Sequence, residues 1–471
     1  MFPILVVVYF CVLAGDALLV SFAADDMMNL ACYHGRTAWE LALANLHFYS
    51  TFYRPLGGVF YSVIYSFAGL NPLPYRIAIF LLLLVNIGLY SRFIRLCSGS
   101  ARQARFATVL SCYHGAMVVM YYFNSQIYDV LCATFYYLAF NAYLAARTQG
   151  ELSWRCLALV SGLYVLALNA KEMAVTFPVF LLVHEGIYHR LRSLRPVFVT
   201  GTLTAVYVAG KCFGPQSLTA MEAYHPRFSM ELFLAGHASY LETMFYLPAG
   251  SVDPLDTVLF WAVLLAYALL RRNKLILFCW FWILLSSLPI VFIGRMGGPA
   301  MYVPLAGYAL LVTAVGADLL SRFPTIPHRW QNAGLFLVLL AMGTYHYKQK
   351  RHYLPAIHSG QALTWRTIQQ LDRAGLQLPK GARVLFLNDP FTDWDMVFIT
   401  QLYFRDPTLH VDLARKMDPK PTAEQLRGYD AVLQFEAGRI VQTPIHTVTR
   451  GLDPHAWLEA LEESMPEPPR L

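Results

Sequence analysis

From Met1 to Ala24 almost every position is apolar and none is Lys or Arg, and the run closes on the acidic pair Asp25-Asp26. A helix of about 20 such residues crosses a hydrocarbon core. The pattern therefore predicts a first membrane span that ends at an interface, where two carboxylates can stay ionised. Asp16 interrupts it, and a charge within a span is expected to face the bundle interior or a wet cavity. Apolar stretches of similar length recur at 75–96, 106–124, 129–146, 156–170, 173–188, 196–212, 255–270, 275–293, 301–320 and 331–347. With the first, the expectation is eleven spans. Pro55–Leu70 is apolar and aromatic but too short to cross untilted, so it is expected to lie along the interface within a first outer loop, 23–74. A second outer segment, 213–254, carries an amphipathic helix over Ser229–Pro248.

From about residue 353 the chain turns polar. Ala362–Ala374 and Asp393–Phe404 have helical patterns, Arg383–Leu387 and Leu409–Leu413 read as strands, and Asp430–Phe435 with Ile440–Gln442 as a hairpin around Gly438. The expected organisation is a membrane unit, 1–350, and a C-terminal extracytoplasmic α/β domain, 351–471. The acid-rich turn from Asn388 to Asp395 could hold a cation. A turn and helix cap is the better reading, since acids are expected before a helix N-terminus.

Composition narrows the class. With 57% hydrophobic and 14% charged residues the chain is an integral membrane protein, and lipid is its solvent. The net charge of +7 does not point to nucleic acid. Its basic residues gather in the short loops 92–105, 147–155, 189–195, 271–274 and 322–329, whereas acids fall in the alternate loops. That alternation orients the protein, with the N-terminus cytoplasmic and Asp25-Asp26 on the opposite face. Lys348, Lys350 and Arg351 disagree, because they follow the last span on the outer side. No basic region precedes the first span and no cleavage pattern precedes Asp25, so this helix is expected to be retained. The eight cysteines lack metal-type spacing, and His34, His47, His225 and His237 are scattered without a ligand pair.

Several motifs share the outer side with the acidic pair: Tyr53-Arg54-Pro55-Leu56, Tyr128-Asp129, Asn169-Ala170-Lys171-Glu172, and Arg295 with Tyr302-Val303-Pro304-Leu305-Ala306-Gly307-Tyr308. In this order, over residues 1–310, they resemble the GT-C glycosyltransferases, polytopic enzymes that use polyprenyl-phosphate-linked sugars. Within that class the likeness is to protein O-mannosyltransferases with tetratricopeptide repeats. The chain departs from them at Gly298-Pro299-Ala300, where those enzymes carry an acidic-basic pair, and in its C-terminal α/β domain, where they carry helical repeats. The acceptor, whether lipid, glycan or protein, is therefore not carried over.

The resemblance implies a polyprenyl-phosphate-sugar donor, embedding among membrane lipids and a site on the periplasmic face of a bacterial inner membrane, or the lumenal face of the endoplasmic reticulum. It leaves a divalent cation open as cofactor, held by Asp25 and Asp26 if at all. The chemistry agrees. A phosphate leaving group needs no protonation, so an inverting transfer needs a base for the acceptor hydroxyl and cations for the phosphate. Asp25 or Asp26 is the candidate base, and Asp26 is favoured because it lies one residue farther from the span. Lys171, Arg54 and Arg295 are the candidate cations, with Glu172 and Tyr302 in the donor motifs and Asp129 as an acceptor contact or a helix cap. Structural roles compete: an interfacial cap for the acidic pair, and a turn ion pair for Lys171-Glu172. Two other classes stay open, a flippase or transporter of a lipid-linked precursor and a non-catalytic assembly factor.

Overall fold

The computed structural model describes residues 2–49, 54–150, 152–213, 225–293, 298–322, 327–419, 421–436 and 439–443. Tyr53, Glu222, Arg295 and Gly438 lie outside these residues. The helices run α1 Phe2–Ala14, α2 Ala24–Ala31, α3 Ala38–Ala44, α4 Pro55–Ala68, α5 Pro72–Ser98 and α6 Ala101–Cys112. Next come α7 Val118–Tyr122, α8 Ile127–Thr148, α9 Trp154–Ala170, α10 Phe177–His189, α11 Arg195–Phe213 and α12 Met230–Phe245. The series continues with α13 Pro254–Leu270, α14 Lys274–Ser286, α15 Leu288–Val291, α16 Leu305–Leu320 and α17 His328–Ala374. Beyond it lie β1 Arg383–Phe386, α18 Asp395–Tyr403, β2 His410–Leu413, α19 Ala423–Leu426, β3 Ala431–Glu436 and β4 Arg439–Gln442.

The protein is a helical membrane protein. Among the described residues, four helical stretches are long and apolar enough to cross a bilayer: Phe2–Leu19, Pro72–Ser98, Arg195–Phe213 and Lys274–Val291. Four shorter apolar helices accompany them, α4, α9, α13 and α16.

Several expected helices are interrupted or begin as 3₁₀ turns. The first does not run on to Ala24: α1 stops at Ala14, a 3₁₀ segment covers Gly15–Leu19, and α2 starts afresh at Ala24. Asp25 and Asp26 therefore open a short second helix, where carboxylates meet the positive end of the backbone dipole. The expected 106–124 span breaks after Cys112. The freed amides are satisfied by side chains, with His114 N donating to Tyr121 Oη at 2.9 Å and Gly115 N to Tyr246 Oη at 3.0 Å. Irregular backbone is tolerated at membrane depth only where such partners exist. The tenth stretch starts as a 3₁₀ turn, Gly298–Met301, and α16 begins at Leu305, which leaves Tyr302 before the helix.

At the C-terminal end the difference is of the opposite kind. The segments expected at 331–347 and 362–374 are one helix of 47 residues, and it crosses the 350/351 boundary without a break. Composition changes there because the surroundings change, while no helix-stopping signal intervenes except Pro355, which the helix absorbs. Beyond it the sheet has the order β2-β1-β3-β4, with β1 parallel to β2 and β3 and β4 antiparallel to β3. The β1–β2 connection runs through α18, as a parallel crossover requires.

The bundle core is unusually rich in tyrosine. Tyr61, Tyr90 and Tyr137 are fully buried, and each hydroxyl donates to a main-chain carbonyl, of Asn124, Tyr302 and Val303 respectively. Rings that large are retained in the interior because their polar end finds a partner.

Candidate functional site

The site is built around the first turn of α8. Just before it, in the 3₁₀ turn Asn124–Gln126, Ser125 N donates to Asp26 Oδ1 at 2.6 Å. Ala23 N donates to Asp26 Oδ2 at 2.9 Å, and Arg76 Nη2 lies 3.8 Å from the same oxygen. Asp26 is fully buried, so both its oxygens are committed to holding α2 against α5 and α8. Burial raises its carboxyl above the ordinary range, opposed by Arg76 and by the amides of Ala23, Ser125 and Asn124. Its neighbour is different. Asp25 is exposed, and among the described residues no hydrogen bond or ion pair reaches its carboxylate. The atoms crowding its inner side still raise its pKa through partial burial.

From this pair a chain of contacts leads to the other motifs. Asn29, on α2, is hydrogen-bonded by Tyr128 Oη at 2.9 Å, and Tyr128 Oη lies 3.2 Å from Tyr33 Oη. Tyr33 Oη donates to the carbonyl of Arg54 at 3.1 Å. The Arg54 guanidinium lies 5.0 Å over the Tyr128 ring and meets Glu172 through two hydrogen bonds, 2.9 and 3.3 Å long. Burial pushes the Glu172 carboxyl up, but Arg54 more than reverses this and holds it at about 2. Lys171 Nζ lies 2.5 Å from Asp129 Oδ2, in the first turn of α8. Lys171 and Glu172 therefore do not pair with each other. Each meets an opposite charge from another segment, as groups withdrawn from water must.

The structure thus brings Asp25, Asp26, Arg54, Asp129, Lys171 and Glu172 to one region. Tyr302 is set apart in the core. Asn86 donates to its hydroxyl at 3.4 Å and also to the Val130 carbonyl at 3.0 Å, which ties it to the α8 backbone below Asp129. Arg295 lies outside the described residues.

Sequence reasoning missed Arg76, which sits second in the expected 75–96 span and so resembled an interfacial anchor. A charged residue just inside a span was the available signal. It also missed the partner of Asp16, whose Oδ2 lies 2.8 Å from Lys350 Nζ of α17. The acid-rich turn is largely structural: Asp389 accepts from Phe391 N at 3.0 Å and pairs with Arg415 at 2.7 Å. The helix it leads into, α18, packs on α2. Asp395 consequently feels Asp25, and burial, then Asp393 and Asp25, raise its carboxyl. Among the described residues no group of three or more His, Cys, Asp or Glu could hold a metal ion.

A mainly apolar cavity of about 570 Å³ opens elsewhere in the bundle, lined by Leu110 of α6, Met244 and Phe245 of α12 with Tyr246 just after it, Leu305 and Val312 of α16, and Met342 and His346 of α17. Helix α4 does not line it and instead borders a second cavity, of about 360 Å³.

No family model and no curated protein matches the chain. Among solved structures it is similar to the crystal structure of ArnT from Cupriavidus metallidurans bound to undecaprenyl phosphate, at 15% identity and a TM-score of 0.47, covering 87% of this chain and 85% of that one.

Proposed function

We propose that this chain is a GT-C-type membrane glycosyltransferase that moves a sugar, with inversion, from a polyprenyl-phosphate-linked donor to an acceptor hydroxyl presented at the Asp25 face. One observation carries the reading: of two adjacent carboxylates, one is locked by two amides and a guanidinium while the other is left accessible and unpaired. The hydrogen-bonded cap of α2 is made by Asp26 alone, without Asp25. Asp25 is the base in this reading, and Asp26, the residue farther from the span, is the anchor that fixes its helix.

In the transfer, Asp25 accepts the proton of the acceptor hydroxyl as its oxygen attacks the anomeric carbon, and the bond to the phosphate oxygen breaks on the opposite face. The phosphate departs with its charge unprotonated. Lys171 is the cation best able to meet it, because a flexible ammonium can exchange Asp129 for phosphate, whereas the two-bond fit of Arg54 with Glu172 is more fixed. Arg295 stays a second candidate. The 570 Å³ apolar cavity suits an isoprenoid tail, since its walls bury alkyl surface and carry few polar groups. The pairing of Asp16 with Lys350 weighs against a transporter, whose mid-membrane charge would be expected to exchange partners with its cargo.

Mass analysis of the lipids of a strain lacking this protein tests the reading. Accumulation of a polyprenyl-phosphate-linked sugar, together with loss of that sugar from one envelope acceptor, is the expected result. An unchanged pool of lipid-linked sugars would overturn it.

A further inference from the structure

The 360 Å³ cavity lies at the mouth of α5, where Leu70 and Asn71 lead into the span, and is closed from the other side by Trp365 of α17, by Leu402 and Tyr403 of α18 and by Arg405 just after it. Its position is set by α5, a mostly apolar helix of 27 residues that starts at Pro72 and is long enough to span, so the cavity adjoins the end of a membrane span, where lipid headgroups are expected. Its walls mix the two chemistries found there: aliphatic and aromatic surface from Leu70, Ile368, Tyr65 and Trp365, and one guanidinium.

That guanidinium is held in place at some cost. Arg405 has a φ of +54°, in the left-handed region that a residue of its kind rarely adopts. Its Nη2 lies 2.9 Å from where a Cβ on Gly69 would be, so the glycine leaves the room it occupies. Its cation rests 5.9 Å over the Tyr65 ring. Among the described residues no carboxylate pairs with it. Two acids of the adjoining elements are engaged elsewhere, Asp372 by Tyr403 Oη at 3.2 Å and Asp406 by Gly381 N at 2.8 Å and by Thr408 Oγ1 at 2.6 Å. An unneutralised guanidinium in an aromatic pocket at headgroup depth is the arrangement that receives a lipid phosphate.

We infer that this cavity binds the phosphate headgroup of an anionic membrane lipid, with Arg405 on the phosphate and Trp365 and Tyr65 against the glycerol and upper alkyl carbons. The site is separate from the transfer machinery and does not depend on it. Its occupancy fastens α18 to α4 and the start of α5, and so steadies the surface against which α2 packs.

Native mass spectrometry of the full chain in a neutral detergent, with phosphatidylglycerol titrated against phosphatidylcholine, tests the inference. One phosphatidylglycerol is expected to be retained, with weaker retention of phosphatidylcholine. Arg405→Asn removes the charge yet tolerates the left-handed backbone, and should weaken retention on the order of tenfold, the scale of a lost charge-assisted contact. Arg405→Lys should recover part of it, and Trp365→Ala, on an exposed helix face, should weaken it independently. Wild-type retention in both Arg405→Asn and Trp365→Ala would overturn the site. Equal retention of the two lipids would overturn its charge selectivity, and displacement by an equal concentration of inorganic phosphate would overturn the lipid as its source.

Discussion

Asparagine at position 26 would leave Arg76 buried without its carboxylate, whereas asparagine at position 25 would leave every contact in the structure intact. Removing one partner of a buried pair costs about 3–5 kcal/mol, so Asp26→Asn should lower the thermal midpoint and protein level. Asp25→Asn should do neither. Partial burial raises the Asp25 carboxyl, which means that its charged form is disfavoured in the fold, and stability falls as pH rises through that pKa. A neutral amide removes this penalty, so the midpoint at neutral pH should hold or rise slightly while turnover falls about 10²–10⁴-fold. A base must be ionised, so wild-type turnover should fail as pH drops, with its midpoint above the ordinary aspartate value of about 3.9. Melting curves and a pH–rate profile check both halves. Full turnover in Asp25→Asn would return the residue to an interfacial cap. The acidic pair was legible in the sequence, but its division of labour was not. It is decided by Ser125 N and Arg76, which are remote in the chain from Asp26 and meet it only in the folded bundle.

Helix α4 reaches the site because of two glycines. A Cβ at Gly57 would lie 2.2 Å from Tyr128 Cε1, and one at Gly58 2.6 Å from Tyr33 Cδ1, so neither ring could keep its place. Those rings carry the contacts that link Asn29 to Arg54. Gly57→Ala should therefore cost about 1–3 kcal/mol through overpacking and lower turnover beyond what the stability loss explains. Thermal unfolding and steady-state kinetics on the same preparation would show it, and wild-type behaviour in both would mean that the α4–α8 approach does not matter. The Arg-Pro-Leu motif announced a helix start, since proline suits the first turn, but not the left-handed backbone at Arg54, φ +43°. Helix interruptions were equally hidden. The break after Cys112 is stabilised by Tyr246, 131 residues beyond the amide it accepts from, and hydrophobic periodicity carries no trace of such a partner.

Across the whole molecule, apolar patterning marked where helices lie, because lipid leaves the backbone few alternatives to a helix, but of the eleven spans expected only four stretches among the described residues are long and apolar enough to cross a bilayer. The strands after residue 380 were legible from short apolar runs bounded by turn residues. The junction between the parts was not, since composition reports the solvent around a helix rather than where the helix ends, and α17 runs through both settings. Lys350 misled the charge count for a related reason: its ammonium is spent on Asp16 instead of marking a loop. A protein built this way should cleave a lipid-linked sugar where it stands. The direct measurement is reconstitution of the full chain in vesicles with a polyprenyl-phosphate-linked hexose, following free polyprenyl phosphate and the anomeric configuration of the transferred sugar together. The account predicts one polyprenyl phosphate released per sugar transferred, with inversion, and neither product with Asp25→Asn. Passage of the intact donor to the opposite leaflet without cleavage would contradict it.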